Sequence, residues 1–214
     1  MAESEEQGRI RDFINYVRLS SPADINGGDP HVLRMALEFR FDGIDLNSFR
    51  RISGLTVLAS TVLAAPHPAV IQKLIDAGAD IDAVSGNKTA LMYAVSLHHD
   101  EYTKHVNGTG AHHTLNKMEA QEQVVRKLIA LGADVTIRDE NGRTALDIAL
   151  DRSERSFIDP YLLEMLVAAN PAAGIETIQT YLEHAEMLFD EDRKRLEHIV
   201  KTYQDNVIIE EKID

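Results

Sequence analysis

The chain has 214 residues, 44% of them apolar, a formal net charge of −13 and no cysteine. Its length and apolar share suit one sizeable core or a small pair of domains, while the missing thiols exclude disulfides, thiolate metal sites and a cysteine nucleophile. The acidic balance disfavours a nucleic-acid backbone, which is held by Lys and Arg displacing counterions, and favours a basic partner.

Taken in chain order, Val32 to Leu37 is an apolar periodic stretch that leads into Gly43-Ile44-Asp45-Leu46-Asn47. Thr56-Val57-Leu58 follows, and then Val70, Ile71, Leu74 and Ile75 fall on one stripe of a helix. Gly78 lies just past the last apolar turn, where glycine takes the left-handed conformation that ends a helix at little steric cost. Asp80 to Lys88 is polar and rich in turn formers, with Asn87 suited to positive φ, and Thr89 sits where its hydroxyl would cap the next helix. The same order returns downstream. Leu74-Ile75-Asp76-Ala77-Gly78-Ala79-Asp80-Ile81 matches Leu128-Ile129-Ala130-Leu131-Gly132-Ala133-Asp134-Val135, and Thr89-Ala90-Leu91-Met92-Tyr93-Ala94 matches Thr144-Ala145-Leu146-Asp147-Ile148-Ala149. Asn141-Gly142 occupies the turn between the second copies. Each unit therefore reads as helix, turn, helix and protruding hairpin-like loop. Tyr161 to Val167, before Asn170-Pro171, reads as one more second helix. Ile175 to Tyr203 keeps helical periodicity, with Ile178, Leu182, Ala185 and Leu188 on one face, as helices closing the C-terminal end would.

The middle unit is longer than its neighbour. Thr89 to Gly132 spans 43 positions against 22 from Thr56 to Gly78, and the surplus of 21 falls at about residues 99–121. The expectation is a loop, with Asn107-Gly108-Thr109-Gly110 at its tip, extending the surface away from the hairpin side. His98, His99, His105, His112 and His113 lie in it or at its edge. Imidazole suits zinc or nickel, yet no pair has the spacing of a known motif, so the expectation is no metal site and no cofactor, with these histidines as the candidate ligands if one exists.

The repeated blocks and the 33-residue step from Thr56 to Thr89 resemble the ankyrin-repeat family, whose signature runs Thr-Pro-Leu-His-x-Ala and later Gly-Ala-Asp. The resemblance is strongest from about Gly54 to Ala149. The signature proline is replaced by Val57, Ala90 and Ala145, and the signature histidine by Ala59, Met92 and Asp147. The resemblance implies an all-α solenoid of about four repeats in a single domain: a divergent repeat at 1–50, repeats at 51–83, 84–137 with the insertion, and 138–171, then capping helices and an acidic tail at 172–214. It also implies a partner surface built from hairpin tips and the first helices. Aligning the units puts Ser85 and Lys88 at one tip, Asp139, Glu140 and Arg143 at the next, and Tyr93, Ser96, Leu97, Asp147, Asp151 and Arg152 along the adjoining first helices. Asp139, Glu140, Asp147 and Asp151 together would form an acidic strip suited to an Arg- or Lys-bearing protein. Phe49-Arg50-Arg51 offers an aromatic with two cations in the turn before Thr56.

No phosphate loop, Gly-x-Ser-x-Gly elbow or His-Glu-x-x-His is present, so no enzyme is expected. No run of about 18 apolar residues could span a bilayer, and the acidic Met1 to Glu6 is unlike a signal peptide, so a cytoplasmic protein off the membrane is expected. The reading is a non-catalytic binding module, monomeric or in a one-to-one complex with a protein partner. It would act as an inhibitor or immunity-type antidote to a toxin, or as a scaffold. The alternatives are a metal- or pH-responsive regulator working through the histidines, and an adaptor or secreted effector of ankyrin type.

Overall fold

The computed structural model describes residues 5–22, 28–47, 54–109, 114–151, 157–185 and 188–210. Its helices are α1 (Glu5–Leu19), α2 (Pro30–Glu38), α3 (Val57–Val62), α4 (Pro68–Asp76), α5 (Ala90–Val106), α6 (Thr114–Ala130), α7 (Ala145–Ala149), α8 (Pro160–Ala169), α9 (Pro171–His184) and α10 (Asp190–Glu210). No strand occurs among the described residues, and the only extended pairing there is a single bridge between Ser85 and Lys88. The chain is all-α, and none of these helices is long and apolar enough to cross a membrane.

Local chemistry sets where the helices begin. Thr56, Thr89 and Thr144 each stand before a first-layer helix, and each hydroxyl accepts the backbone N–H three residues on, at 3.2 Å in all three cases. The second-layer helices α2, α4 and α8 instead start on a proline behind a capping side chain, Asp29, His67 and Asp159, where the missing N–H costs nothing. Gly78 and Gly132 end α4 and α6 alike, at φ 93° and 89°. Their N–H groups reach Ile75 and Ile129, and those of Ala79 and Ala133 reach Leu74 and Leu128, which satisfies carbonyls that the helix end would leave orphaned.

The helices pair in sequence, and the pairs stack. The odd-numbered helices α1, α3, α5, α7 and α9 pack each on the next, the even-numbered ones do the same, and each odd helix packs on the even one that follows it. Among the described residues the result is two parallel layers of five helices. One continuous core runs between them, with Phe13, Leu58, Ile71, Leu74, Leu91, Leu128, Leu163, Leu166, Ile178 and Leu196 fully buried. At the N-terminal end it is extended by Phe13, Phe39 and Phe41, whose ring centroids lie 4.9 to 5.2 Å apart.

The insertion differs from the loop expected over about 99–121. Helix α5 continues to Val106 and α6 already starts at Thr114, so most of the added residues lengthen two antiparallel helices. The physical reason is that Tyr102, Met118 and Ala120 are half-buried or buried, and Gln121 and Val124 continue their line, so the insertion carries its own apolar seam. Because hairpin loops join even to odd helices and the insertion joins odd to even, the lengthened pair projects from the end opposite the hairpin tips.

Candidate functional site

The loops after α2, α4 and α6 form a row, tied by a recurring hydrogen-bond relay. In each loop an aspartate carboxylate accepts the N–H two residues on: Asp45 from Asn47, Asp80 from Asp82, and Asp134 from Thr136, at 2.8 to 3.0 Å. The side chain at that second position then holds the next loop. Asn47 accepts from the Asp80 N–H at 2.7 Å and donates to the Gly78 carbonyl at 2.9 Å, and Asp82 accepts from the Asp134 N–H at 2.9 Å. Thr136, third in the series, turns its hydroxyl back onto Asp134 at 2.6 Å. The series stops there because α8 passes to α9 through Asn170 alone. Where a fourth loop would lie, a cavity of about 350 Å³ opens between Thr136, Arg138 and the Glu176 side of α9.

The first tip turns on Gly86 and Asn87, at φ 56° and 77°, the left-handed pair that matches the twist of a two-residue hairpin. Tyr93 braces it. Its hydroxyl lies 3.0 Å from the Ser85 carbonyl and 2.8 Å from that of Gly86, and a Cβ at position 86 would sit 2.7 Å from that oxygen, so glycine is required twice over. Burial raises the Tyr93 phenol above its ordinary pKa. Lys88 lies over the same ring, 5.8 Å from its centroid, and its Nζ reaches Ser96 Oγ at 3.4 Å. Ser85 is buried.

The second tip is organised by Asp139. One carboxylate oxygen accepts from the N–H groups of Asn141 (2.8 Å) and Arg143 (2.9 Å), the other faces the Arg143 guanidinium at 3.1 Å, and the side chain is 1% exposed. Burial alone would push this carboxyl up, but the two backbone N–H groups and the arginine outweigh it and hold it below the usual carboxylate range. Arg143 also reaches Asp151 at 3.5 Å. This repeats the first unit, since Lys88 to Ser96 and Arg143 to Asp151 each run from the residue before the capping threonine to the one seven after it.

The expected acidic strip is therefore corrected. Asp139 is buried as the staple of its turn, and Asp147 forms a capping box by accepting from Thr144 N–H and Oγ1 at 2.7 and 2.8 Å. Asp151 is paired with Arg143, and Glu140 alone of the four is exposed without a described partner. Lys88 and Arg143 lie at the tips and Ser96 and Asp151 beside them along the first layer, and Leu97 points toward the opposite end, near α6. Arg152, Phe49, Arg50 and Arg51 lie outside the described residues.

The histidines are separated rather than gathered. His98, 1% exposed, has Nε2 2.7 Å from Asp159 Oδ2 and Nδ1 3.1 Å from the Met118 carbonyl, so both nitrogens are occupied and neither is left for a metal. His99 is buried, and neither ring nitrogen has a hydrogen-bond partner. Desolvation lowers its pKa below the ordinary value; Asp100 and Asp151 pull the other way without overcoming it. His105 is exposed in the last turn of α5. His112 and His113 lie outside the described residues, among which no group of three His, Asp or Glu side chains is placed to hold a metal.

Two features went unread in the sequence. The relay has a signal, Asp-x-Asn, Asp-x-Asp and Asp-x-Thr just after each glycine stop, which a third-position comparison of the loops would have isolated. The His98 to Asp159 pair has none, because its members are 61 residues apart. The geometry defines a class: an all-α stack of paired helices with a row of linked turns along one side. No family model matches the chain, and no curated protein matches it.

Proposed function

We propose that the chain is an ankyrin-type repeat protein that acts in the cytoplasm by binding, not by catalysis, and that it blocks a protein partner with its row of hairpin tips and the adjoining first-layer helices. The observation that carries this reading is the repetition at the two tips. Successive units place a cation, Lys88 or Arg143, against a polar residue of the first helix, Ser96 or Asp151, on turns that the relay and the Tyr93 and Asp139 braces hold rigid. Preorganised, like-placed polar side chains suit recognition, because little ordering entropy is lost on docking. Since three of the four strip carboxylates are occupied internally, the face offered to a partner is of mixed charge, Glu140 and Glu176 having no ion pair among the described residues, and a basic partner is drawn mainly by the net charge of −13.

The test uses side chains outside the buried core and the helix caps. A Lys88→Glu, Ser96→Arg, Glu140→Lys triple variant should keep its melting temperature and lose the protein that immobilised wild type retains from a lysate of its source. That protein should form a stable one-to-one complex with the wild type and lose its own activity in it. Retention of the same protein by both forms would refute the tip surface; a complex that leaves the partner active would refute blocking and leave scaffolding.

A further inference from the structure

The insertion builds a pocket that a plain unit would lack. On the side away from the tips, the prolonged α5 and α6 stand beside the C-terminal ends of α1 and α3 and border an open cavity of about 350 Å³. Its apolar wall is Leu63, Ala64, Ala65 and Leu97, and its polar contributors are Arg18, Ser21, Glu101, Lys117 and Gln121; Glu101, Lys117 and Gln121 all belong to the added residues. We infer that this pocket binds a small apolar monocarboxylate bearing an amide N–H, the chemistry of an acylated leucine-like amino acid.

Four observations carry the inference. In a chain of net charge −13, two cations, Arg18 and Lys117, meet at one apolar pocket, and neither has an ion pair or hydrogen bond among the described residues. Gln121 is 4% exposed, its Oε1 has no partner, and its one bond, from Nε2 to the Val62 carbonyl, is stretched to 3.5 Å. A buried amide this poorly satisfied is costly unless a ligand completes it. Ala65 holds a left-handed φ of 47°, rare for a residue with a side chain. It is pinned there by Ser21 Oγ, which donates to its carbonyl at 2.7 Å, and strain kept at a pocket wall marks a site shaped for occupancy. Leu63 is 42% exposed at the same wall, an apolar surface for a branched side chain to cover. In this assignment the carboxylate goes to Arg18 and Lys117, the side chain lies against Leu63 and Leu97, and the N–H reaches Gln121 Oε1 once that covered amide turns toward the cavity. Glu101 lines the same pocket with its carboxylate held by Lys104 at 2.9 Å, which leaves the two cations to outweigh it for a single carboxylate and disfavours more highly charged anions. The volume sits at the low end for ligand sites, which limits the ligand to about a dozen heavy atoms and its affinity to about the millimolar range.

The chemistry has two sources, a free acylated amino acid or the carboxyl end of a peptide, and the experiment separates them. N-acetyl-L-leucine, a pentapeptide ending in leucine, and the carboxamide of each are titrated into the full chain while its amide spectrum is recorded. The two carboxylates should give saturable shifts at Leu63, Ala64, Ala65 and the Gln121 side-chain amide, and the carboxamides should bind at least tenfold more weakly. Lys117→Glu and Arg18→Glu, both surface changes, should each weaken binding about tenfold or more with the spectrum otherwise intact; Gln121→Leu should do the same if folded. Peptide binding tenfold tighter than N-acetyl-L-leucine assigns the site to a chain end, and equal binding assigns it to the free acid. No saturable shift up to about 20 mM, equal binding of the carboxamides, or shifts confined to the tip side would overturn the inference. The tip-surface variant should bind these probes normally, so failure here and failure of the blocking function are distinguishable.

Discussion

Asp139 and His99 show how a single side chain's surroundings set its contribution. Asp139 accepts two backbone N–H groups in a buried turn, and removing the acceptor leaves those donors unsatisfied; Asp139→Ala should lose about 2 kcal/mol in urea unfolding at pH 7. Its depressed carboxyl gives the sign of the pH effect. The unfolded chain binds the proton more readily, so this stabilisation is complete above the ordinary aspartate value of about 3.9 and is lost as pH falls through the lower folded value. Wild type and variant should therefore converge in strong acid. His99 is also depressed, by desolvation first, so its neutral form favours the fold above the ordinary value of about 6.5, and stability should fall as pH drops below it. His99→Leu should flatten the stability curve just below the ordinary imidazole value of about 6.5; an unchanged slope there would refute this account. At this scale the sequence was only partly legible. The capping threonines, the glycine stops and Asn87 could be read because their roles are local. Asp139 and Tyr93 could not be separated from interface residues, since only the folded turn shows that a polar tip residue points back into its own backbone.

The elements were legible where local signals agree. Thr89 to Leu97 and Val124 to Gly132 carry cap, stripe and stop together, and the helices fall where these signals place them. Gly132→Ala should cost about 1 kcal/mol, because φ of 89° excludes an ordinary side chain while nothing crowds the site. Two elements escaped. Helix α1 has a sound stripe, Ile10, Phe13, Ile14 and Val17, unread because it carries none of the repeated blocks. The prolonged α5 and α6 were hidden by Asn107-Gly108-Thr109-Gly110, which mark the short link and not the whole insertion. What fastens them to α8 is His98, whose partner Asp159 also caps that helix by accepting from the Tyr161 N–H at 2.9 Å. His98→Ala and Asp159→Ala should each cost about 3 kcal/mol by stranding the other member, while the His98→Ala, Asp159→Ala double variant should cost less than their sum. Additive losses in a double-mutant cycle would show that the pair is not coupled.

Across the whole molecule, the stack makes stability a matter of neighbours, since each helix pair packs chiefly on the pairs beside it. Helices α9 and α10 close one end and have packing partners on one side only. Ile178→Ala in α9 should therefore strip hydrogen-exchange protection from residues 171–205 before residues 57–149 are affected; simultaneous loss over both would show that the stack unfolds as one unit. The two-layer reading rests on the repeated blocks in the middle of the chain; at the ends, read as a divergent repeat over 1–50 and as capping helices over 172–214, it rests on periodicity alone, because the outermost pairs need only match one neighbour and so drift furthest from the shared pattern. The charge of the hairpin-tip side differs from the acidic strip expected there for a related reason. The net charge is a property of the whole chain, whereas pairing is decided neighbour by neighbour.

The relay along the loops has a direction, and it gives the molecule a mechanical polarity. Asn47 grips the turn after α4 and Asp82 grips the turn after α6, so tension drawn along that side is handed forward through clasps arranged in series. Thr136 holds only its own loop. Pulled by its two ends, the molecule should peel from α9 and α10 toward the first turn, in the manner of a zipper open at one end.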